Sequence, residues 1–262
     1  MVKASLVPDP VQRKRPLNYL ERTGHILPAT NNLLQYFIAD TEEFVAENQM
    51  TLNKKKTKVM SFTKSRKWDF PPELQFKDGT QLECIPDTKL LGVVVSQDLK
   101  WHKNTAYVCQ KARQKLWILR RLQNFDLNTY QLFDVYIKEV RSILELAVPV
   151  WHSGLTNKQT ADIESVQKVA LKIILQDEYV NYQLACATLS TQTLEERRIK
   201  LCKKFAIKNV KSEKPLFTLV TTKPNTRQVN DLVMEPKCRT NHFKDSSLLF
   251  LANLLNSTNK KK

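Results

Sequence analysis

Two stretches of the sequence hold many cations and no acid. Residues 53–68 carry Lys54, Lys55, Lys56, Lys58, Lys64, Arg66 and Lys67; residues 100–123 carry Lys100, Lys103, Lys111, Arg113, Lys115, Arg120 and Arg121. A third cluster over residues 193–211 sets Arg197, Arg198, Lys200, Lys203, Lys204, Lys208 and Lys211 against only Glu195 and Glu196. Cations at this density hold phosphates, because each contact releases counterions condensed on a polyanion. Trp101, Tyr107 and Trp117 are interleaved with the second stretch. Rings placed there either stack on unpaired bases or pack against the apolar stripe of their own helix. The formal net charge of +16 asks for a polyanionic partner, nucleic acid first and a membrane surface second.

Catalytic chemistry has little to stand on. The histidines are His25, His102, His152 and His242, and none falls at an His-x-Asp or His-x-x-x-His spacing. Cys238 and His242 are spaced as zinc ligands can be, but no second cysteine pair lies near them. The phosphate-cradling patterns G-x-x-x-x-G-K and G-x-G-x-x-G are both missing. Glu42 and Glu43 are adjacent acids on a predicted helix, where solvation is a better account than acid–base work. The expectation is no catalytic residue, no metal and no cofactor. Cys84, Cys109, Cys186, Cys202 and Cys238 are odd in number and widely spaced, which excludes a disulfide framework and predicts a reducing intracellular compartment, cytoplasmic or nuclear. No signal peptide and no run of 18 apolar residues is seen, so no membrane role is expected. Arg13-Lys14-Arg15 and Lys260-Lys261-Lys262 read as solvated ends.

The elements that must position these cations follow from periodicity. Only four glycines occur, too few for a large sheet with many tight turns, which biases the chain toward helix. Residues 1–32 hold Pro8, Pro10, Pro16 and Pro28 and read as an irregular arm. A helix capped by Asn31 or Asn32 is expected from Leu33 to about Asn48. Residues 58–62, 74–76, 82–84 and 89–96 read as a small antiparallel sheet of three to four strands, with Asp78-Gly79 as one turn. From Trp101 onward the pattern is helical. Helices are expected over 103–123, over 128–147 with Pro149 as its stop, from the Thr156/Gln159 capping box to Leu175, and from the Thr193/Glu196 box to Lys211. Residues 212–245 read as linker and 247–255 as a short helix. The fold class is α+β, mainly α: a palm-end segment at 33–101, a helix bundle at 102–211, and a tail at 212–262.

At Leu52-Asn53-Lys54-Lys55-Lys56-Thr57-Lys58-Val59-Met60-Ser61-Phe62 the chain resembles the reverse transcriptases of non-LTR retrotransposons, which carry an N-x-x-K-T-x-V-M-x-F strand after their active site. The segment Phe44 to Met50 is similar to that family's lead-in. Lys89 to Trp101, with Leu91, Gly92 and Val93 at its centre, is similar to its primer-grip segment. Further similar pieces follow in the family's order: Lys111-Ala112-Arg113 with Leu119 to Leu122, Val140 to Glu145, Ala147 to Trp151, and Ile163 to Ile174. The resemblance covers residues 33–176 and implies the end of a palm, a primer grip and a thumb whose basic face grips the template–primer backbone. Such contacts position a duplex without reading its sequence.

The resemblance also fails at an informative place. The family's polymerases hold two magnesium ions on aspartates, two of them in a Tyr-x-Asp-Asp box. Here Tyr36-Phe37-Ile38-Ala39-Asp40 is only superficially similar, with no adjacent aspartate and too little chain before Asn53. Fingers and most of the palm are absent from this sequence, so no polymerase activity is expected from it. Residues 101–151 are also similar to the N-terminal domain of AlkB homologue 8 tRNA-modifying enzymes, whose chemistry resides in other domains; their iron-binding His-x-Asp has no counterpart here. A helical protein-interaction scaffold with merely solvated basic faces is the rival from another class.

Overall fold

The computed structural model describes residues 27–62, 73–125, 127–210, 219–221, 231–233, 238, 243 and 246–259. The arm before residue 27, Lys64, Arg66 and Lys67, Lys211, most of the expected linker, His25 and His242, and the lysine tail lie outside the described residues. The chain divides into two compact units, Met1–Thr88 with Ser96–Asp98, and Lys89–Val95 with Leu99–Lys262. The sequence placed a boundary at 101/102. The division instead groups Lys89–Val95 and Leu99–Trp101 with the helices, because Val93 and Trp101 join the helical core and the Val94 N–H donates to Asn104 Oδ1 at 3.1 Å.

The first unit is built on α1 (Leu27–Glu47). This helix starts earlier than the expected Leu33. Pro28 does not prevent that, because a first-turn proline lacks only an N–H that would have no partner within the helix. Ile38 of α1 is buried with Leu74 and Phe76, and Leu34, Leu52, Val59 and Leu82 pack around them. A 3₁₀ turn, Lys54–Lys56, is capped by the Asn53 side chain, which accepts from the Lys56 N–H. β1 (Lys58–Val59) pairs in parallel with β2 (Glu83–Cys84). The expected turn at Asp78-Gly79 is present: Gly79 has φ of +81°, and a bridge joins Gln75 to Gln81 across it.

β3 (Asp87–Leu90) and β4 (Val93–Ser96) form a hairpin closed by Leu91-Gly92, with φ of +48° and +89°. Two consecutive positive φ values match the twist of a two-residue hairpin turn. The mainly helical α+β class is as expected. The strands, however, stay as separate two-stranded pairs rather than one sheet of three or four. Pro86, between β2 and β3, removes a ladder donor at the point where a continuous sheet would have to pass.

The second unit is a helix bundle. α2 (His102–Leu122) packs on α6 (Asn157–Leu175), and α2 buries Val108, Cys109, Ala112, Leu116 and Leu119 on one stripe. Between them runs α3 (Thr129–Val135), which passes through a π turn (Tyr136–Arg141) into α4 (Ser142–Leu144). Pro149 does not merely stop this helix. It sits in the first turn of α5 (Val148–Trp151), entered through Ala147 at φ of +50°. The Thr156/Gln159 box forms as expected, with reciprocal bonds of 3.3 and 2.7 Å. α7 (Tyr182–Thr188), which the periodicity did not mark, precedes α8 (Leu194–Val210), whose Thr193/Glu196 box also forms. β5 (Leu219–Thr221) and β6 (Asp231–Val233) pair antiparallel inside the expected linker, and α9 (Ser247–Asn259) packs on α8 and β6.

The bundle core is not wholly apolar. Gln167 is fully buried and joins three elements: Tyr136 Oη donates to its Oε1 at 2.6 Å, and its Nε2 donates to Tyr182 Oη at 2.8 Å and to the Gln192 carbonyl at 3.0 Å. Arg198 is fully buried as well, and its Nε donates to His152 Nδ1 at 3.4 Å. An imidazole that accepts there is neutral. Burial, reinforced by the adjacent guanidinium, pulls the His152 pKa down to about 4. The unfolded chain, with an ordinary histidine, takes up this proton near 6.5, so it binds more protons than the folded chain between the two values. Stability should therefore fall as pH drops from about 6.5 to about 4. Urea midpoints measured across that window in wild type and His152→Gln should show a shallower pH dependence in the variant; equal slopes would contradict a buried neutral imidazole.

Candidate nucleic-acid interface

A groove of about 610 Å³ opens beside α2 in the helical unit. α2 contributes Tyr107, Lys111, Lys115 and Trp117 to it, the β3–β4 hairpin contributes Lys89 and Gly92, and Ile143 and Leu146 form part of its apolar wall. On a helix, residues three and four apart share a face, which is why 107, 111, 114, 115 and 118 line one groove. Gly92 is required twice over. Its φ is left-handed, and a Cβ there would come within 2.8 Å of Leu146 Cδ2.

Tyr107 organises the cations. The Lys89 ammonium donates to its hydroxyl and lies 4.6 Å from the ring centroid, and the Lys111 ammonium lies 5.1 Å from the same ring. Hydrogen bonds from Lys111 first, and Lys89 second, hold the phenol below its usual range. Lys115 pairs with Glu139 at 2.9 Å, with both side chains nearly half exposed. Trp117 is 60% exposed, so packing into the core is not its role. A ring this open is free to stack on a base. The groove thus combines ammonium groups, an exposed indole and an apolar wall.

The thirteen cations and one aromatic side chain expected at a binding surface, with the three primer-grip-like residues of the hairpin, fare unequally. Lys54, Lys55, Lys56 and Lys58 lie in the first unit and Lys100 onward in the second. Lys54 pairs with Asp78 at 2.6 Å and Glu42 at 3.5 Å and sits over the Phe76 ring; Lys58 pairs with Glu83. Both pairs are partly exposed, so these two lysines spend their charge inside their own unit, on acids distant in sequence, without contributing much to its stability. Lys55 and Lys56 are exposed. Leu91 is exposed at the hairpin tip, while Val93 is buried. Trp101 is corrected: it is 8% exposed, with its indole packed against Gly154, and belongs to the core. Arg198 is corrected likewise, being fully buried in the bundle. Arg197 turns inward to Glu145, its Nη2 2.9 Å from Oε2 and its Nε bonded to Oε1.

Lys100, Lys103, Arg113, Arg120 and Arg121 are exposed, but α2 does not gather them onto the groove. Arg113 lines a different recess together with Lys158. Lys89 was overlooked in sequence because it stands alone, before a β-branched run. Only its pairing with Tyr107 across the bundle marks it. Asp40 is exposed on α1, and among the described residues no three His, Cys, Asp or Glu side chains are placed to hold a metal ion. No helix among the described residues is long and apolar enough to cross a membrane. Comparison with known families, curated proteins and solved structures returns no match for the chain.

The charge environment of Tyr107 can be read directly. In an absorbance titration, the difference between wild type and Tyr107→Phe should be a phenol ionising below the ordinary tyrosine pKa near 10. Lys111→Gln should move it back upward. A Tyr107 that titrates at its ordinary value would mean that the two ammonium groups do not surround it.

Proposed function

We propose that this chain binds nucleic acid through its phosphate backbone, as the thumb-side remnant of a non-LTR-retrotransposon-type reverse transcriptase that lacks a polymerase site of its own. The groove carries the reading. It sets Lys89, Lys111 and Lys115 beside an exposed Trp117 and the tip of the β3–β4 hairpin, the segment that resembles a primer grip. Ammonium groups suit phosphates, and the indole suits an unpaired base at a strand end. The five free thiols accord with a reducing intracellular setting.

A titration of a fluorescent primer–template duplex at several salt concentrations tests this. Affinity should fall steeply with salt, and Lys111→Gln with Lys115→Gln should reduce the slope of log affinity against log salt by about 2, roughly one per phosphate contact. Trp117→Ala should weaken binding to a duplex with an unpaired end more than to a blunt one. Binding that is undetectable or indifferent to salt would overturn the proposal. Magnesium-dependent primer extension by the purified chain would overturn its catalytic half.

One observation favours the rival scaffold reading: Arg197 and Arg198, the leading cations of the third cluster, are spent on Glu145 and on the core. Under that reading, substitutions on the groove leave nucleic-acid affinity unchanged.

A further inference from the structure

Leu91 occupies the tip of the β3–β4 hairpin, and two local rules disfavour it there. Its φ is +48°, in the left-handed region that asparagine and glycine enter readily and leucine does not. Its side chain is also 79% exposed, the highest value among the large apolar side chains of the described residues. A single exposed leucine is ordinary on a protein surface. One that also holds a left-handed turn position is not, because an Asn-Gly pair would fold the same turn without either cost.

The tip is firmly seated. Gly92, the second turn residue, packs so closely on Leu146 that a Cβ would come within 2.8 Å of its Cδ2. Val93 is buried in the bundle core, and the Val94 N–H donates to Asn104 Oδ1 of α2 at 3.1 Å. On the other strand, the Lys89 ammonium donates to the Tyr107 hydroxyl, also on α2. Both strands of the hairpin are thus fastened to one helix, and Leu91 is the residue left uncovered. Lys89 and Gly92, on either side of it in sequence, line the groove, so Leu91 stands at the groove's rim. Trp117, 60% exposed, lines the same groove.

An apolar side chain on a stiff mount beside cations can do to nucleic acid what a lysine cannot. It enters between stacked bases, where a charged side chain would lose its water. Leucine is among the residues that wedge base steps apart, and the unstacking is offset by the contacts that the opened strand makes. The groove offers those contacts: ammonium groups for the flanking phosphates and an exposed indole for a freed base.

We propose that Leu91 is a wedge that opens the base pair at the end of a duplex seated in the groove, and that Trp117 receives one of the freed bases. This role rests on the groove's being a nucleic-acid interface and narrows its ligand to a duplex end or junction, which the chain opens as well as holds.

A primer–template duplex carrying 2-aminopurine in its terminal pair tests it, with the full chain added to saturation so that differences in affinity drop out. This base brightens when it leaves the stack. Its fluorescence should rise with wild type and stay at the free-duplex level with Leu91→Asn. Asparagine suits the turn, so that variant should melt no lower than wild type, and a lost signal would not come from unfolding. Leu91→Met keeps an apolar wedge and should keep the rise. Trp117→Ala should give a brighter signal than wild type, since an indole against the base quenches it. The same base in the middle of the duplex should not respond. A wild type that binds in a salt-dependent way without brightening the terminal base, an undiminished rise with Leu91→Asn, or an equal response in mid-duplex overturns the wedge and leaves the backbone grip standing. Absence of salt-dependent binding overturns both.

Discussion

α2 packs on α6 through a stripe that includes Val108, Ala112, Leu116 and Leu119, each at most 2% exposed, and the placement of every candidate binding residue in the helical unit follows from that contact. A helix that buries one stripe has two flanks and one outer face. Here one flank meets the β3–β4 hairpin and α4, and the other meets the start of α6. Cations spaced along α2 without regard to its repeat are therefore sorted by the packing into separate neighbourhoods. Deleting Leu119 to alanine would remove several methylene groups from a fully buried site, a change that costs about 2–5 kcal/mol, and would loosen both neighbourhoods together.

The core carries polar groups that a simple bundle would not need. Gln167 satisfies its amide through Tyr136, Tyr182 and Gln192, and so fixes the π turn, α7 and the entry to α8 relative to α6. Glu164 extends the same network, accepting from Tyr182 and from the Leu194 N–H at 2.9 Å. The π turn fits this arrangement, since one extra residue in the repeat re-aims the side chains around it. Tyr136 at its start stacks on Phe133 at 5.8 Å while its hydroxyl reaches Gln167. Arg198 is the expensive member: both of its Nη atoms are buried without a partner among the described residues. A guanidinium stays charged in any protein, and burial pushes its pKa down without neutralising it. The nearby His152 instead gives up its proton.

Helix periodicity made most of the second unit legible. Capping boxes at Thr156 and Thr193 announced α6 and α8 to the residue, because Ser/Thr followed three residues later by Gln/Glu has a specific local geometry. The two-residue turn at Leu91-Gly92 was not foreseen, since Leu91 adopts a positive φ that its type does not favour. α7 was missed because seven residues hold too few periods to register. The binding residues were less legible than the fold. A run of lysines states charge but not exposure, and Lys54 and Lys58 find their acids 24 and 25 residues away. Arg197 and Arg198 are neighbours in sequence, yet one reaches the Glu145 carboxylate in the turn after α4 and the other lies in the core. No periodicity argument separates such a pair without knowing where the stripe of α8 falls.

Charge density along the sequence is therefore a weaker guide to a binding surface than the coincidence of charge with an aromatic ring and a gap in the packing. Lys111 and Lys115 qualify because they open onto the same groove as Tyr107 and Trp117. Lys89 qualifies although no basic residue adjoins it in sequence, since its ammonium lies over the Tyr107 ring. Two ammonium groups around one phenol repel each other at short range and are tolerated because the ring face and hydroxyl offer partial negative charge. Phosphate oxygens offer a full negative charge to the same ammonium groups. A duplex backbone entering the groove would replace the weaker partner with the stronger, and the lysines would move little to accept it. That pre-positioning lowers the entropy lost on ordering long side chains, and it distinguishes the groove from the exposed Lys55 and Lys56 of the 3₁₀ turn, over which no ring lies among the described residues.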